Sequence, residues 1–327
     1  MSRNLIILSI ILIIFVGVFI LWQKSNNSVS NQSAGTAQNT NPESDQLSET
    51  SSNSNQSFIE GLRKREFKGG DIKIEETLTH NNSYTSYIFS YPSDNLKIYG
   101  MMNIPEGNGP FPVIVLNHGY YNPSSFNSGD GTRTMADILV AKGYITVASD
   151  YRGHGQSEDE KQGPRGHRPE FAIDVLNLIA SIKSVEKADQ NRIGMWGHSM
   201  GGEVALRTAE ATNKVKTIVL WAPTSANASD NANFYGGRHN PNTNNPELDG
   251  VSPINYLKYI SAPISLHQGS VDVEVNPMWS KDLRDALRTE DKQVEYFEYE
   301  GQDHNFRNLG WDLISDRTIA FYDKYLK

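Results

Sequence analysis

From Leu5 to Leu21 the chain is apolar except at Ser9 and Gly17, and Trp22 closes a run of 18 residues. That length reaches the lower limit for crossing a bilayer, and an aromatic at its end suits the interface. Gln23, Lys24 and Ser25 follow, which is not a small-x-small cleavage site, so residues 1–24 are expected to stay as a transmembrane anchor. Secretion after cleavage is the alternative. Arg3 and the amino terminus outweigh Lys24, which predicts a single-pass protein of the cell membrane with its N-terminus cytoplasmic and the rest extracytoplasmic. Residues 25–57 are mostly Asn, Ser, Gln and Thr and cannot bury enough apolar surface to offset ordering, so they read as a disordered polar linker.

Beyond the linker the pattern turns regular, and residues 58–327 read as one domain. Strands are predicted over Asp71–Leu78, Tyr84–Tyr91 and Lys97–Asn103, then over Pro112–Leu116, Tyr144–Ala148, Ile193–Trp196, Val215–Leu220, Ile264–Leu266 and Gln293–Tyr299. Helices are predicted over Thr132–Lys142, Pro169–Ile182, Ser199–Glu210, Ser252–Ile260, Asn276–Leu287 and Asn308–Tyr325. Short unbroken apolar strands alternating with helices describe an α/β fold with a mostly parallel central sheet covered on both faces. Residues 224–250, rich in Asn, Pro and Gly, interrupt this rhythm as a loop or cap insertion. A long loop in a compact domain is usually functional, and here it could form one wall of a cleft.

Composition narrows the partners. A net charge of -8 gives no reason to expect nucleic acid. The absence of cysteine removes disulfides, lipoprotein attachment, thiolate metal sites and a thiol nucleophile. The histidines are scattered without ligand spacing, and there is neither a dinucleotide fingerprint nor a Walker sequence, so no metal or cofactor is expected.

The chemistry centres on Gly197-His198-Ser199-Met200-Gly201, set between an apolar strand and a helix. A serine on such a strand-to-helix turn is lifted above the sheet edge. A hydroxyl needs a base to take its proton, and the base needs an acid to fix its tautomer. Loops after two later strands carry Asp272 and His304 at the same sheet edge, in the chain order Ser, Asp, His. Glu274 is the rival acid. His198 is expected to point elsewhere, and His118 to orient its loop. Oxyanion donors are expected from the N–H of Met200 and of Tyr120, with Gly119 letting that loop approach Ser199. Tyr121, Phe234 and Tyr235 are candidates for contacting substrate.

These motifs carry a resemblance. The runs Val115–Tyr120, Ala148–Ser157, Gly197–Gly202 and Ser252–Asp272 are similar to those of the α/β-hydrolase superfamily, and within it to prolyl-oligopeptidase-like catalytic domains without their β-propeller. The resemblance implies an α/β-hydrolase fold from about Ile72 to Lys327, with Ser199 as nucleophile, Asp272 as orienting acid and His304 as base. The expected activity is that of a serine hydrolase cleaving small carboxylic esters through an acyl-enzyme. A serine peptidase acting on short peptides is the alternative, and a non-catalytic surface binding module the third.

Overall fold

The computed structural model describes residues 57–160, 168–236, 246–307 and 310–327. A nine-stranded sheet runs through them in the order β1-β2-β3-β5-β4-β6-β7-β8-β9. Its strands are β1 (Lys73–His80), β2 (Tyr84–Ser93), β3 (Leu96–Pro105), β4 (Phe111–Asn117), β5 (Ile145–Ser149), β6 (Ala188–His198), β7 (Val215–Trp221), β8 (Ile264–Gly269) and β9 (Val294–Tyr299). β1, β2, β3 and β5 pair antiparallel, while β5, β4 and β6 to β9 pair parallel. All nine predicted strands are present.

The central strands are apolar on both faces because helices cover both. Val113, Val115, Met195, Ile218 and Leu220 join one core with residues of α3 (Phe171–Ser181), α4 (Met200–Ala211) and α7 (Pro277–Thr289). The alternate residues Ile114, Leu116, Trp196, Val219 and Trp221 join a second core with α2 (Arg133–Val140) and α8 (Gly310–Leu326). This two-sided alternation produces unbroken apolar runs in sequence. Helix α1 (Phe58–Lys64) precedes the sheet, capped by the Ser57 hydroxyl, which accepts the Glu60 N–H at 3.2 Å.

Three expectations are corrected. The apolar span Leu5–Trp22 and the linker, apart from Ser57, lie outside the described residues, and among the described residues no helix is long and apolar enough to cross a membrane. The described residues therefore form an α/β fold with a mixed sheet, and among them there is no transmembrane helix. The membrane partner and the extracytoplasmic location, which rested on that span alone, fall with it.

Ser252–Ile260 does not form a helix but two short 3₁₀ turns, Pro253–Asn255 and Leu257–Tyr259. Pro253 has no N–H, and the Ile254 N–H donates outward to Ala226 O at 3.0 Å instead of along a helix. Conversely, the described part of residues 224–250 contains two helices, α5 (Ala228–Tyr235) and α6 (Pro246–Asp249). Asn227 caps α5 by accepting the Ser229 N–H at 3.0 Å, and a buried Asn231 ties its first turn to Ser225. Polar side-chain bonds of this kind leave no hydrophobic period to read.

Candidate active site

Because β4 and β6 to β9 run parallel, the segments that follow them emerge at one sheet edge, where open α/β sheets bind ligands. A cleft of about 1190 Å³ opens there, lined by residues that include Tyr120, Tyr121, Ser199, Tyr235 and His304.

Ser199 links β6 to α4 with φ 57° and ψ −126°. This is a left-handed conformation that a side chain rarely adopts, and it is held from three sides. The Ser199 N–H donates to Trp221 O at 3.0 Å, and its carbonyl accepts the N–H groups of Gly202 at 2.9 Å and Thr224 at 3.1 Å. The turn closes only because its neighbours lack side chains: a Cβ on Gly201 would overlap the backbone of Asn117. Met200 is buried at the first position of α4, where a helix leaves its N–H groups without intrahelical partners.

The loop after β4 lies against this turn. A Cβ built on Gly119 would stand 3.1 Å from the Ser199 Cβ. His118 is buried beneath the loop, stacked on Tyr151 at 4.2 Å, with Nδ1 2.7 Å from Gly119 O. Burial, then the neighbouring His154, lowers its pKa to about 3, so it stays neutral. His118 thus props the loop, in line with its expected role. Tyr120 is 60% exposed and Tyr121 is partly covered by Phe126.

Asp272 follows β8. Its Oδ1 accepts the N–H groups of Glu274 and Val275, both at 2.9 Å. Its Oδ2 accepts from His304 Nδ1 at 2.8 Å and from Gln268 Nε2 at 3.0 Å. Gln268 is itself fixed, since its Oε1 accepts the Ser280 hydroxyl at 2.8 Å. Burial opposes the charge on Asp272, but His304 and the two N–H donors outweigh it and hold the carboxyl below its ordinary value. Glu274 lines the cleft instead of holding the imidazole.

His304 follows β9, and its loop is laced to the acid loop. Ser270 N–H donates to Tyr299 O at 3.0 Å and Val271 N–H to Gln302 O at 3.1 Å. An ionised carboxylate only accepts, so Nδ1 carries the proton and Nε2 is left as the basic nitrogen. His198, expected to point away, instead packs against His304 with centroids 4.6 Å apart and places Nε2 3.0 Å from the His304 carbonyl.

Tyr235 lines the cleft and donates its hydroxyl to Glu274 O at 3.0 Å. Phe234, the neighbouring candidate, is not among the lining residues and packs edge-on against Trp279 at 5.2 Å. Among the lining residues not singled out from sequence are Glu203 and Arg207. Their spacing of four from Ser199 marks one face of the following helix, which is the signal that could have found them. No group of acids and histidines suited to a metal occurs among the described residues.

Residues 109–237 match the family model described as serine aminopeptidase, S33. An uncharacterized 31.7 kDa protein of Escherichia coli is 33% identical over 123 residues, 36% of this chain and 38% of that protein. The esterase EstD of Thermotoga maritima is 32% identical over 130 residues, 38% of this chain and 30% of that protein. The chain thus spans under two fifths of the length of these curated relatives. The fold is similar to that of acetyl xylan esterase 1 from Thermoanaerobacterium sp. JW/SL YS485, with a TM-score of 0.62 at 19% identity over 81% of this chain and 91% of that one.

Proposed function

We propose that this chain, a serine hydrolase with the α/β-hydrolase fold, cleaves small carboxylic esters through an acyl-enzyme on Ser199. The observation that carries the reading is the His304 Nδ1 to Asp272 Oδ2 bond of 2.8 Å beside a cleft that Ser199 also lines. In this reading Ser199 Oγ attacks the ester carbonyl carbon while His304 Nε2 takes its proton. The carbon–oxygen bond to the alcohol then breaks, and the same proton passes to the leaving oxygen. Water, deprotonated by His304, attacks the acyl-enzyme and releases the acid and Ser199. Asp272 keeps the imidazole in the working tautomer and balances the imidazolium. The N–H groups of Met200 and Tyr120 meet the transient oxyanion, helped by the positive end of α4. Tyr121 and Tyr235 stand where the substrate would pass.

A short-peptide substrate is the second reading, supported by the match to the serine aminopeptidase model over residues 109–237 and by the resemblance to prolyl-oligopeptidase-like domains. Among the described residues only α1 and strands β1 to β3 precede β4, so a propeller that would screen peptides is not part of them. The esterase name of the Thermotoga relative favours the first reading. Incubation with a fluorophosphonate followed by peptide mapping tests the chemistry, with an adduct on Ser199 expected and an unlabelled Ser199 in folded protein overturning it. Parallel turnover of acyl esters and short peptide amides separates the two substrates, and faster amide cleavage would replace the first reading by the second.

A further inference from the structure

Behind Ser199, α4 carries a buried ion pair that the proposed chemistry does not use. Glu203 and Arg207 are 1% and 3% exposed, yet both line the cleft. At about 1.5 Å of rise per residue they lie roughly 6 and 12 Å along α4 from Ser199, and helix side chains lean back toward the N-terminus. Arg207 is held firmly, its Nη2 bonded to Glu203 Oε1 and its Nε to Val251 O at 2.8 Å. Thr224 joins the pair to the elbow. Its hydroxyl reaches Glu203 Oε2 at 3.4 Å, and its N–H donates to Ser199 O at 3.1 Å.

Two apolar side chains of similar volume often stabilise a core as well as a buried ion pair does. What the pair adds is a preorganised donor in the wall of a ligand cleft. Nε and Nη2 are engaged, and among the described residues Arg207 Nη1 has no partner. The charge of Arg207 is already balanced by Glu203. An incoming carboxylate would sit beside the Glu203 carboxylate and be repelled, whereas a neutral oxygen would find only a donor.

We infer that Arg207 sets the specificity of this cleft by donating Nη1–H to a neutral carbonyl oxygen in the far part of the substrate's acyl chain. The carbonyl should lie roughly six to eight atoms from the scissile carbon, given the helical rise. This rests on the catalytic reading above. Nη1 is the guanidinium nitrogen left to donate, and it needs an acceptor oxygen, so the substrate class is an oxo- or amide-bearing acyl ester and not a plain fatty ester.

The test compares kcat/KM for p-nitrophenyl octanoate, its 7-oxo derivative and the p-nitrophenyl monoester of suberic acid, with fluorophosphonate labelling of Ser199 followed in parallel. The 7-oxo ester should exceed the octanoate by about tenfold or more, the usual scale for a bond from a charged donor. The suberate should fall below both. In the double variant Glu203→Gln/Arg207→Met, which removes both charges of the pair, the ratio of oxo to alkyl ester should fall to about one. Labelled Ser199 with octanoate or suberate preferred overturns the inference alone, as does an unchanged ratio in the double variant. No ester turnover together with unlabelled Ser199 overturns the catalytic reading and this inference with it. Should the double variant fail to fold, the three-ester ranking on the unmodified protein decides.

Discussion

His198 places its Nε2 3.0 Å from the backbone carbonyl of His304, although the two residues are 106 positions apart in the chain. Burial, then the nearby His304, lowers the His198 pKa to about 4, so at neutral pH the ring is uncharged and donates Nε2–H to that carbonyl. The residue before the proposed nucleophile therefore holds the backbone of the proposed base. His198→Phe keeps a ring against His304 and deletes only the donor. Misplacement by about an ångström costs on the order of a hundredfold, so kcat should fall about ten- to a hundredfold with little change in KM. Steady-state kinetics on a short acyl ester checks this, and an unchanged kcat would reduce His198 to packing.

Asp272→Asn should be far more severe. The two N–H donors on Oδ1 keep the amide oxygen at that site, so the NH₂ group must take the place of Oδ2. There it faces His304 Nδ1 and the Gln268 amide, both donors to the native carboxylate. His304 would have to carry its proton on Nε2, the nitrogen needed as base. A loss of about four orders of magnitude in kcat is expected for a wrong tautomer, measured with the fold verified by circular dichroism.

Gly119→Ala probes the oxyanion loop. The new Cβ would lie 3.1 Å from the Ser199 Cβ and 3.6 Å from its Oγ, tight enough to push the loop outward by a few tenths of an ångström. If the Tyr120 N–H is an oxyanion donor, kcat should fall about a hundredfold or more, the scale of losing one such donor. Thermal unfolding should shift little, because the loop edge borders the open cleft.

Much of this architecture is readable in the chain because two-sided burial writes itself as continuous apolar strands, Val113 to Leu116 and Ile218 to Trp221 among them. The order of Ser199, Asp272 and His304 is equally plain once each is placed after a strand. Helix α5 is not, since Asn227, Asp230 and Asn231 build it by side-chain bonds without an apolar stripe. Nor does spacing distinguish the buried Glu203–Arg207 pair from an exposed i,i+4 pair, because only the tertiary fold closes over that face of α4. The N-terminal apolar run shows the opposite failure. Its composition reads strongly, yet it falls outside the described residues and cannot support the anchor drawn from it.

Three buried neutral histidines should make the protein acid-labile. Burial comes first among the causes that lower the pKa values of His118 and His267 to about 3 and of His198 to about 4. A histidine whose folded pKa lies below its unfolded value near 6.5 contributes stability that is present above about pH 6.5 and is lost as pH falls toward the folded pKa. Each contributes a slope of about 1.4 kcal/mol per pH unit between about pH 6 and 4. Asp150 and Glu210 act in the other direction, since burial raises the Asp150 carboxyl to about 7 and the Glu210 carboxyl well above its ordinary value. Each contributes stability that is full below about pH 4 and is lost as pH rises through its folded pKa, so together they offset two of the three histidines across the window. His267 is the cleanest of the three to change, with Nδ1 2.7 Å from the Tyr299 hydroxyl and Nε2 2.9 Å from Ser265 Oγ. His267→Gln can still bond to both hydroxyls but does not titrate. Urea unfolding at pH 6, 5 and 4 should show stability falling with acid in the unmodified protein, at about the slope of one histidine. In His267→Gln the slope should be shallower by about 1.4 kcal/mol per pH unit, and equal slopes would mean that His267 is already protonated in the fold.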